Sequence, residues 1–391
     1  MNGKVGRDGF DVRPFRPARL LRNAHAQTIG GRFLRRAEPP LFERERIDLP
    51  DGDFVDLDHV IASTLTDDSP VVLLMHGLEG SARRGYAINT YRELARRGVR
   101  AVGLNFRSCS GEPNRNARFY HSGDTADIEH VLRLLAERYP DVPRGAIGFS
   151  LGGNAMLKLL GELGEDAASL VSAAVAVSVP YDLGAGADWL DRSRFGRIYT
   201  SRFIASLIAK AETKATQLGD TCDLDRIRAA RSFREFDGAA TAPIHGFADA
   251  DDYYTRSSSI HYLHAIRVPT LLLHAADDPF LPAECFPHEQ VTQNPWLEAV
   301  VTDAGGHVGF IEGTPWKPRF WAEEEAAGFL ARVLRQHIRR GTHSAEWPRA
   351  PCRCPASPLL SAGSDQLSSR CGPTGAWLTR AVPPGRANDS T

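Results

Sequence analysis

The sequence of 391 residues carries 47 basic and 48 acidic side chains, which gives a formal net charge of −1. With 42% apolar residues it has the composition of a globular protein, long enough for one large domain or two ordinary ones. The balanced charge excludes a global field that would attract nucleic acid or an acidic membrane, and we expect no nucleic-acid partner.

The six cysteines are widely spaced and do not form the pattern of a disulfide framework. Cys352 and Cys354 lack the two-residue gap of a zinc knuckle, and the sequence indicates neither a metal site nor a cofactor. The amino terminus has no apolar region typical of a signal peptide, and no uncharged apolar run reaches the roughly 18 residues of a membrane span. We therefore expect a cytoplasmic protein with no transmembrane segment. The sequence does not indicate its oligomeric state.

The central part of the chain alternates between short apolar strands and amphipathic helices. A β-hairpin is predicted within 41–62, around the turn Asp51-Gly52. Buried strands are predicted at 71–75, 99–105, 146–149, 173–179, 270–274 and 297–302, and helices at 86–97, 128–139, 152–163 and about 319–339. This alternation predicts an α/β fold with a mostly parallel central sheet covered by helices on both faces.

The alternation is interrupted by helical stretches that predict a cap inserted between two core strands, with an ordinary long crossover as the alternative. One helical stripe in this region, Phe203, Ile204, Leu207 and Ile208, is predicted to line an apolar substrate pocket, with packing of the cap onto the core as the alternative. The predicted organisation is an irregular amino-terminal arm (1–40), a core in two parts (41–180 and 263–340), the cap (181–262) and a disordered tail (341–391).

A G-x-S-x-G pentapeptide at 148–152 contains the candidate nucleophile. A predicted strand precedes it and a predicted helix follows, which is the setting of a nucleophile elbow. In such a turn the hydroxyl of Ser150 stands above the edge of the sheet. The alternative is a glycine-rich turn in which the serine caps the helix.

A serine hydroxyl needs a base, and the base should lie in a late loop. His307 follows the last predicted strand and two glycines, so it is the candidate base. The acid that orients the imidazole should end the preceding strand, where Asp277 and Asp278 both stand. We favour Asp278, because it directly precedes the turn that begins at Pro279.

The tetrahedral intermediate of acyl transfer needs two backbone N–H donors. One should be the amide of Leu151, directly after the nucleophile. The other is predicted in the loop after the strand 71–75, at the amide of Leu78. His76 in the same loop is expected to shape it rather than to act as a base.

These residues resemble the YheT-like family of α/β-hydrolases, which is related to animal α/β-hydrolase-domain lipases. Besides the order Ser150, Asp278, His307, the resemblance rests on motifs spread over residues 18–340. They are Asn23–Thr28, His76–Gly80, Asn105–Gly111, Tyr120–Gly123, Gly148–Asn154, Arg234–Asp237, Asp252–Tyr254, Asp278–Phe280 and Gly305–Phe310. The resemblance implies hydrolysis of carboxylic esters, including short-chain esters and monoacylglycerols.

The sequence leaves other functions open. An acyltransferase or a thioesterase could use the same triad, and a non-catalytic lipid-binding scaffold could share the fold. Some related proteins carry an H-x4-D acyltransferase motif, but His121 and Asp127 are one residue too far apart to match it. We therefore predict a serine esterase whose substrate is an acyl ester or a lipid.

Overall fold

A nine-stranded sheet runs through the part of the chain that the computed structural model describes, residues 3–5 and 12–340. Its strands are β1 (Gly3–Val5), β2 (Leu41–Asp48), β3 (Phe54–Ile61), β4 (Val71–Met75), β5 (Arg100–Asn105), β6 (Arg144–Phe149), β7 (Ala173–Val177), β8 (Thr270–Ala275) and β9 (Leu297–Thr302). Their order across the sheet is β1-β9-β8-β7-β6-β4-β5-β3-β2. The predicted tail 341–391 lies outside the described residues.

The six central strands are parallel, and only the outer pairs β1–β9, β3–β5 and β2–β3 are antiparallel. Every residue of β4, β7 and β8 is buried, as the continuous apolar runs in the sequence predict. The prediction of a mostly parallel sheet is confirmed. Because parallel strands end at one edge, the loops after β4, β6, β8 and β9 meet there.

Helices cover both faces of the sheet. The α-helices of the described residues are α1 (Ala24–Leu34), α2 (Gly85–Arg96), α3 (Ala126–Arg138), α4 (Leu151–Leu163), α5 (Ala167–Leu170), α6 (Leu183–Arg192), α7 (Arg194–Thr213), α8 (Ala215–Leu218), α9 (Leu224–Ala229), α10 (Phe233–Phe236), α11 (Ala242–His245), α12 (Ala250–Ser257), α13 (His288–Gln293) and α14 (Trp321–Arg340). α3 and α4 pack on one face, and α2 and α14 on the other. A small hairpin, β10 (Ile311–Thr314) and β11 (Lys317–Phe320), precedes α14.

Between β7 and β8 the chain forms the helices α6–α12. Several of them share an apolar cluster of their own, which includes Ile204, Leu218, Ile227 and Phe236. This cluster is separate from the two clusters that flank the sheet. The segment therefore has a small core of its own, and we call it the cap.

The prediction that the arm 1–40 is irregular is wrong for residues 3–5, which form β1, and for residues 24–34, which form α1. The side chain of Asn23 caps this helix by accepting the amides of His25 and Ala26. The fully buried amide of Gln27 donates to the carbonyl oxygens of Leu21 and Ile311, and accepts the amide of Ile311. Contacts distant in sequence stabilise α1, so local periodicity alone does not predict it.

Candidate active site

Ser150 stands at a sharp turn between β6 and α4, with φ 52° and ψ −120°. This positive φ is strained for a residue with a side chain. A Cβ atom on Gly152 would lie 2.6 Å from the carbonyl oxygen of His76, and one on Gly148 only 2.5 Å from the Cα of Gly153. The glycines of the G-x-S-x-G motif are therefore required because the turn packs against its own helix and against the end of β4.

The structure brings the three residues of the predicted triad together in one chain of hydrogen bonds. The Nε2 atom of His307 lies 3.0 Å from the Oγ atom of Ser150. Its Nδ1 atom lies 2.8 Å from Oδ2 of Asp278, whose carboxylate is buried. The ring of Phe280 stacks on the imidazole at 4.2 Å between centroids. The imidazole is thus held between a hydroxyl and a carboxylate, with one nitrogen for each.

Asp277, the alternative acid, contacts the backbone instead of the imidazole. Its Oδ1 atom accepts the amide of Gly306 at 2.8 Å. Burial raises the pKa of the Asp277 carboxyl, and the negative charge of Asp278 acts in the same direction. The geometry therefore separates two neighbouring carboxylates, of which Asp278 reaches the imidazole and Asp277 reaches the loop that carries it.

Two further hydroxyl groups hold the loop of His307. The amide of His307 donates to Oγ1 of Thr28 on α1 at 2.9 Å, and the amide of Val308 donates to Oγ of Ser178 at 3.0 Å. Val308 has a positive φ of 55°, so these bonds fix a strained backbone. Sequence reasoning missed Thr28 as a supporting residue, although the Asn23–Thr28 motif was the signal that could have found it.

The loop after β4 leaves one backbone donor unused beside Ser150. Three of its amides are occupied: Gly77 donates to the Tyr86 hydroxyl, Glu79 to the Tyr120 hydroxyl and Gly80 to the Gly77 carbonyl. Among residues 3–5 and 12–340, the amide of Leu78 has no acceptor. Leu151 is the first residue of α4, so its amide has no partner inside the helix. Both predicted oxyanion donors line the same cavity as Ser150.

His76 lies beneath this loop and is fully buried. Its Nδ1 atom is 2.8 Å from the Gly77 carbonyl oxygen, and its Nε2 atom accepts the amide of Phe106 at 3.3 Å. These partners place the proton on Nδ1. Burial lowers the pKa of His76 to about 3, so the ring is neutral and fixes the loop.

The same loop is tied to the cap through Glu79. The Nζ atom of Lys210 on α7 lies 2.6 Å from Oε1 of Glu79, and the hydroxyl of Ser206 donates to Oε2. The hydroxyl of Tyr120 lies 3.2 Å from Oε1. Glu79 adjoins Leu78, so one carboxylate joins the loop of the candidate oxyanion donor to the cap. Sequence reasoning missed this link, for which no local pattern gives a signal.

A cavity of about 890 Å³ lies between the cap and Ser150. Phe203 and Leu207 line it, as predicted for the stripe on α7, but Ile204 and Ile208 do not. Ile204 is buried in the cap cluster and Ile208 packs against it. Adjacent residues differ by about 100° around a helix, so two residues of the stripe point into the cap, and their prediction as pocket residues is corrected.

One side of the cavity is polar. The rings of His121 and His245 lie 4.3 Å apart between centroids, and both side chains line the cavity. Burial lowers the pKa of each imidazole to about 3. Both rings are therefore neutral at physiological pH. His121 and Asp127 do not match the H-x4-D spacing, and the Asp127 carboxylate accepts hydrogen bonds from Nε and Nη2 of Arg107.

The sequence profile of the α/β-hydrolase fold matches residues 70–314. The chain belongs to the α/β-hydrolase family. It is 39% identical to "Putative esterase YheT" of Escherichia coli (strain K12), over 82% of this chain and 94% of that protein. It is 30% identical to "Phospholipase ABHD3" of Mus musculus, over 81% of this chain and 75% of that protein. It is also 30% identical to "Monoacylglycerol lipase" of Saccharomyces cerevisiae, over 68% of this chain and 59% of that protein.

The resemblance to YheT-like proteins and the prediction of an α/β-hydrolase fold are thereby confirmed. This YheT-like hydrolase is an enzyme of the esterase and lipase type. Within residues 3–5 and 12–340, no helix has the length and apolar character to cross a membrane. The same residues contain no group of three or more His, Cys, Asp or Glu side chains that could hold a metal ion.

Proposed function

We propose that this hydrolase cleaves carboxylic esters of short- to medium-chain acyl groups, including monoacylglycerols, through an acyl-enzyme on Ser150. The observation that supports the proposal is the hydrogen-bond chain from Ser150 through His307 to Asp278. The yeast relative that is named a monoacylglycerol lipase supports the substrate class.

In the first half of the reaction, Oγ of Ser150 attacks the ester carbonyl while Nε2 of His307 accepts the hydroxyl proton. The carboxylate of Asp278 stabilises the imidazolium that forms. The amides of Leu78 and Leu151 donate to the oxyanion of the tetrahedral intermediate. His307 then gives its proton to the departing alkoxide, which leaves as the alcohol.

In the second half, His307 removes a proton from water, and the hydroxide attacks the acyl-enzyme. The tetrahedral intermediate collapses, the ester bond to Ser150 breaks, and Oγ regains its proton from the imidazolium. An alcohol that reached the acyl-enzyme before water would accept the acyl group instead, so the same triad could support transfer.

The cavity favours an apolar acyl group. Phe203 and Leu207 from the cap face it, together with Phe280 beside His307. Its volume of about 890 Å³ falls within the range of small-molecule sites, roughly 300–1,000 Å³. The neutral rings of His121 and His245 offer hydrogen-bonding groups to an uncharged alcohol such as glycerol.

Labelling with a fluorophosphonate probe tests the nucleophile. We expect stoichiometric labelling of the native protein and of Ser122→Ala, which removes another cavity hydroxyl, and none of Ser150→Ala. A panel of p-nitrophenyl esters and monoacylglycerols, with and without added glycerol, then compares hydrolysis with transfer. Labelling that persists in Ser150→Ala would exclude Ser150 as the nucleophile, and products formed mainly by transfer would exclude hydrolysis as the main reaction.

A further inference from the structure

Apolar side chains stand exposed around the opening of the cavity. On α1 these are Ile29 and Phe33, which are 47% and 62% exposed. On the first turns of α7 they are Phe195 and Ile198, which are 56% and 62% exposed. All of these except Phe195 also line the cavity. Exposed apolar side chains gathered at one opening, rather than scattered singly, are typical of an interaction site.

α1 and α7 are in direct contact at this opening. The Nδ1 atom of His25 lies 3.0 Å from the hydroxyl of Tyr199, and the ring of Phe195 packs on the His25 ring at 4.4 Å between centroids. The apolar side chains of the two helices therefore form one continuous surface. We define Ile29, Arg32, Phe33, Phe195, Ile198 and Arg202 as the mouth face.

The mouth face is positively charged. Arg32 and Arg202 line the cavity together with Arg84. Burial, followed by the positive charges of Arg202 and Arg84, lowers the pKa of Arg32. None of the three forms an ion pair with an Asp or Glu in the described part of the chain, although many other arginines do. Among the described residues, no direct ion pair therefore balances the charge of these three arginines.

We propose that the mouth face docks on an anionic lipid surface and presents the cavity to it. The proposal rests on the proposed function, because it names the place from which an ester lipid would reach Ser150. Exposed Phe and Ile side chains insert at the boundary of headgroups and acyl chains, and arginines bind the phosphates around them. The apolar side chains of the mouth face thus match the acyl-chain region of a membrane, and its arginines match the headgroup region.

The mouth face could be covered by a lipid surface or by a second copy of the chain, and its charge favours the lipid surface. In a two-fold dimer, identical surfaces face each other. The arginines of each copy would then meet the mouth face of the other copy, which carries no carboxylate to pair with them. An anionic lipid surface supplies the missing negative charge. Docking there would also place the opening of the apolar cavity next to the lipids.

Co-sedimentation with vesicles tests docking without relying on turnover. The Ser150→Ala protein is mixed with vesicles of phosphatidylcholine, either alone or with phosphatidylglycerol added. We expect stronger binding to the anionic vesicles, and weaker binding as the salt concentration rises. In the same background, Arg32→Ala with Arg202→Ala should weaken anionic binding roughly twenty-five-fold, since each arginine contributes about a factor of five.

Phe33→Ser with Phe195→Ser should weaken binding to both kinds of vesicle. Ile61→Ser and Arg339→Ala serve as matched controls, because these exposed residues lie outside the mouth face, and neither should change binding. Circular dichroism checks that each variant is folded. Equal binding by the variants and the parent would overturn the proposal. It would also be overturned if sedimentation velocity showed that the parent is a dimer and that Phe33→Ser is a monomer, because a second copy of the chain would then cover the mouth face. The esterase assay of the native protein tests the proposed function separately.

Discussion

The backbone amide of His307 donates a hydrogen bond of 2.9 Å to the hydroxyl of Thr28, 279 residues earlier in the chain. Thr28 in turn donates to the Ala24 carbonyl oxygen, so its hydroxyl oxygen is fixed on α1. The loop of the proposed base is therefore positioned by a helix that lies outside the central sheet and its covering helices.

Thr28→Val is expected to lower kcat about tenfold with little change in KM. The variant keeps the shape of the side chain but removes the acceptor of the His307 amide, and small errors in geometry are costly in catalysis. Thr28→Ser should restore the rate. Thr292→Val is a matched control, because Thr292 makes the same bond within a helix, to the carbonyl of His288. Steady-state kinetics with p-nitrophenyl butyrate measures these effects, and an unchanged kcat in Thr28→Val would contradict the positioning role.

Asp278→Asn is expected to lower kcat by about 10⁴-fold, as in the serine-protease template, because an amide no longer stabilises the imidazolium. Asp277→Asn should cost much less, since Asp277 accepts a bond from Gly306 and not from the imidazole. Single-turnover rates of acylation compare the two variants. The reverse ranking would assign the role of the acid to Asp277.

Leu207→Ala is expected to change the preference for acyl-chain length, whereas Ile204→Ala should not. Each buried methylene contributes about 0.8 kcal/mol, or roughly fourfold in kcat/KM, until the cavity is full. Leu207 lines the cavity, while Ile204 packs in the cap and should affect stability instead. A series of p-nitrophenyl esters from acetate to palmitate provides the profile. A flat profile that neither variant alters would remove the basis for chain selection.

Acid should destabilise the protein through its buried imidazoles. The pKa of His121 and of His245 lies at about 3 in the folded state, below the ordinary value of 6.5. Between about pH 3 and 6.5 the unfolded chain therefore binds more protons than the folded protein, and the free energy of unfolding falls as the pH drops below 6.5. Each such group contributes a slope of about 1.4 kcal/mol per pH unit.

His245→Phe is expected to remove one such contribution and flatten the dependence of stability on pH. Urea denaturation at neutral pH and at about pH 5 measures the slope. His261→Phe is the control, because His261 is exposed. If the slope were the same in the parent and in His245→Phe, protonation of His245 would not contribute to acid destabilisation.

The sheet and its covering helices could be predicted because their signals are local. Continuous apolar runs marked β4 and β8, and the periodicity of α3 and α14 marked the helices above and below them. The strand–turn–helix context located Ser150, and the late glycine-rich loop located His307. In each case a few consecutive residues carried the information.

The features that could not be predicted depend on contacts between distant segments. α1 is held by bonds from Gln27 to Ile311, and the hairpin β10–β11 is too short to show periodicity. The sequence favoured Asp278 over Asp277 because of the turn at Pro279, but the contact of Asp277 with the amide of Gly306 had no local signal. The orientation of Ile204 depended on how α7 rotates over the core, which an amphipathic stripe alone does not define.

The bonds from Lys210 and Ser206 to Glu79 mean that the cap is not an independent module. A hybrid enzyme that received the α6–α12 segment of a relative would lose Lys210 and Ser206 as partners of Glu79 unless the new helix supplied a cation and a hydroxyl at the same places. The carboxylate would then be left beside Leu78 without its counterion, and the neighbouring backbone would shift to solvate it. Exchanging caps to alter substrate range therefore requires exchanging the loop after β4 as well.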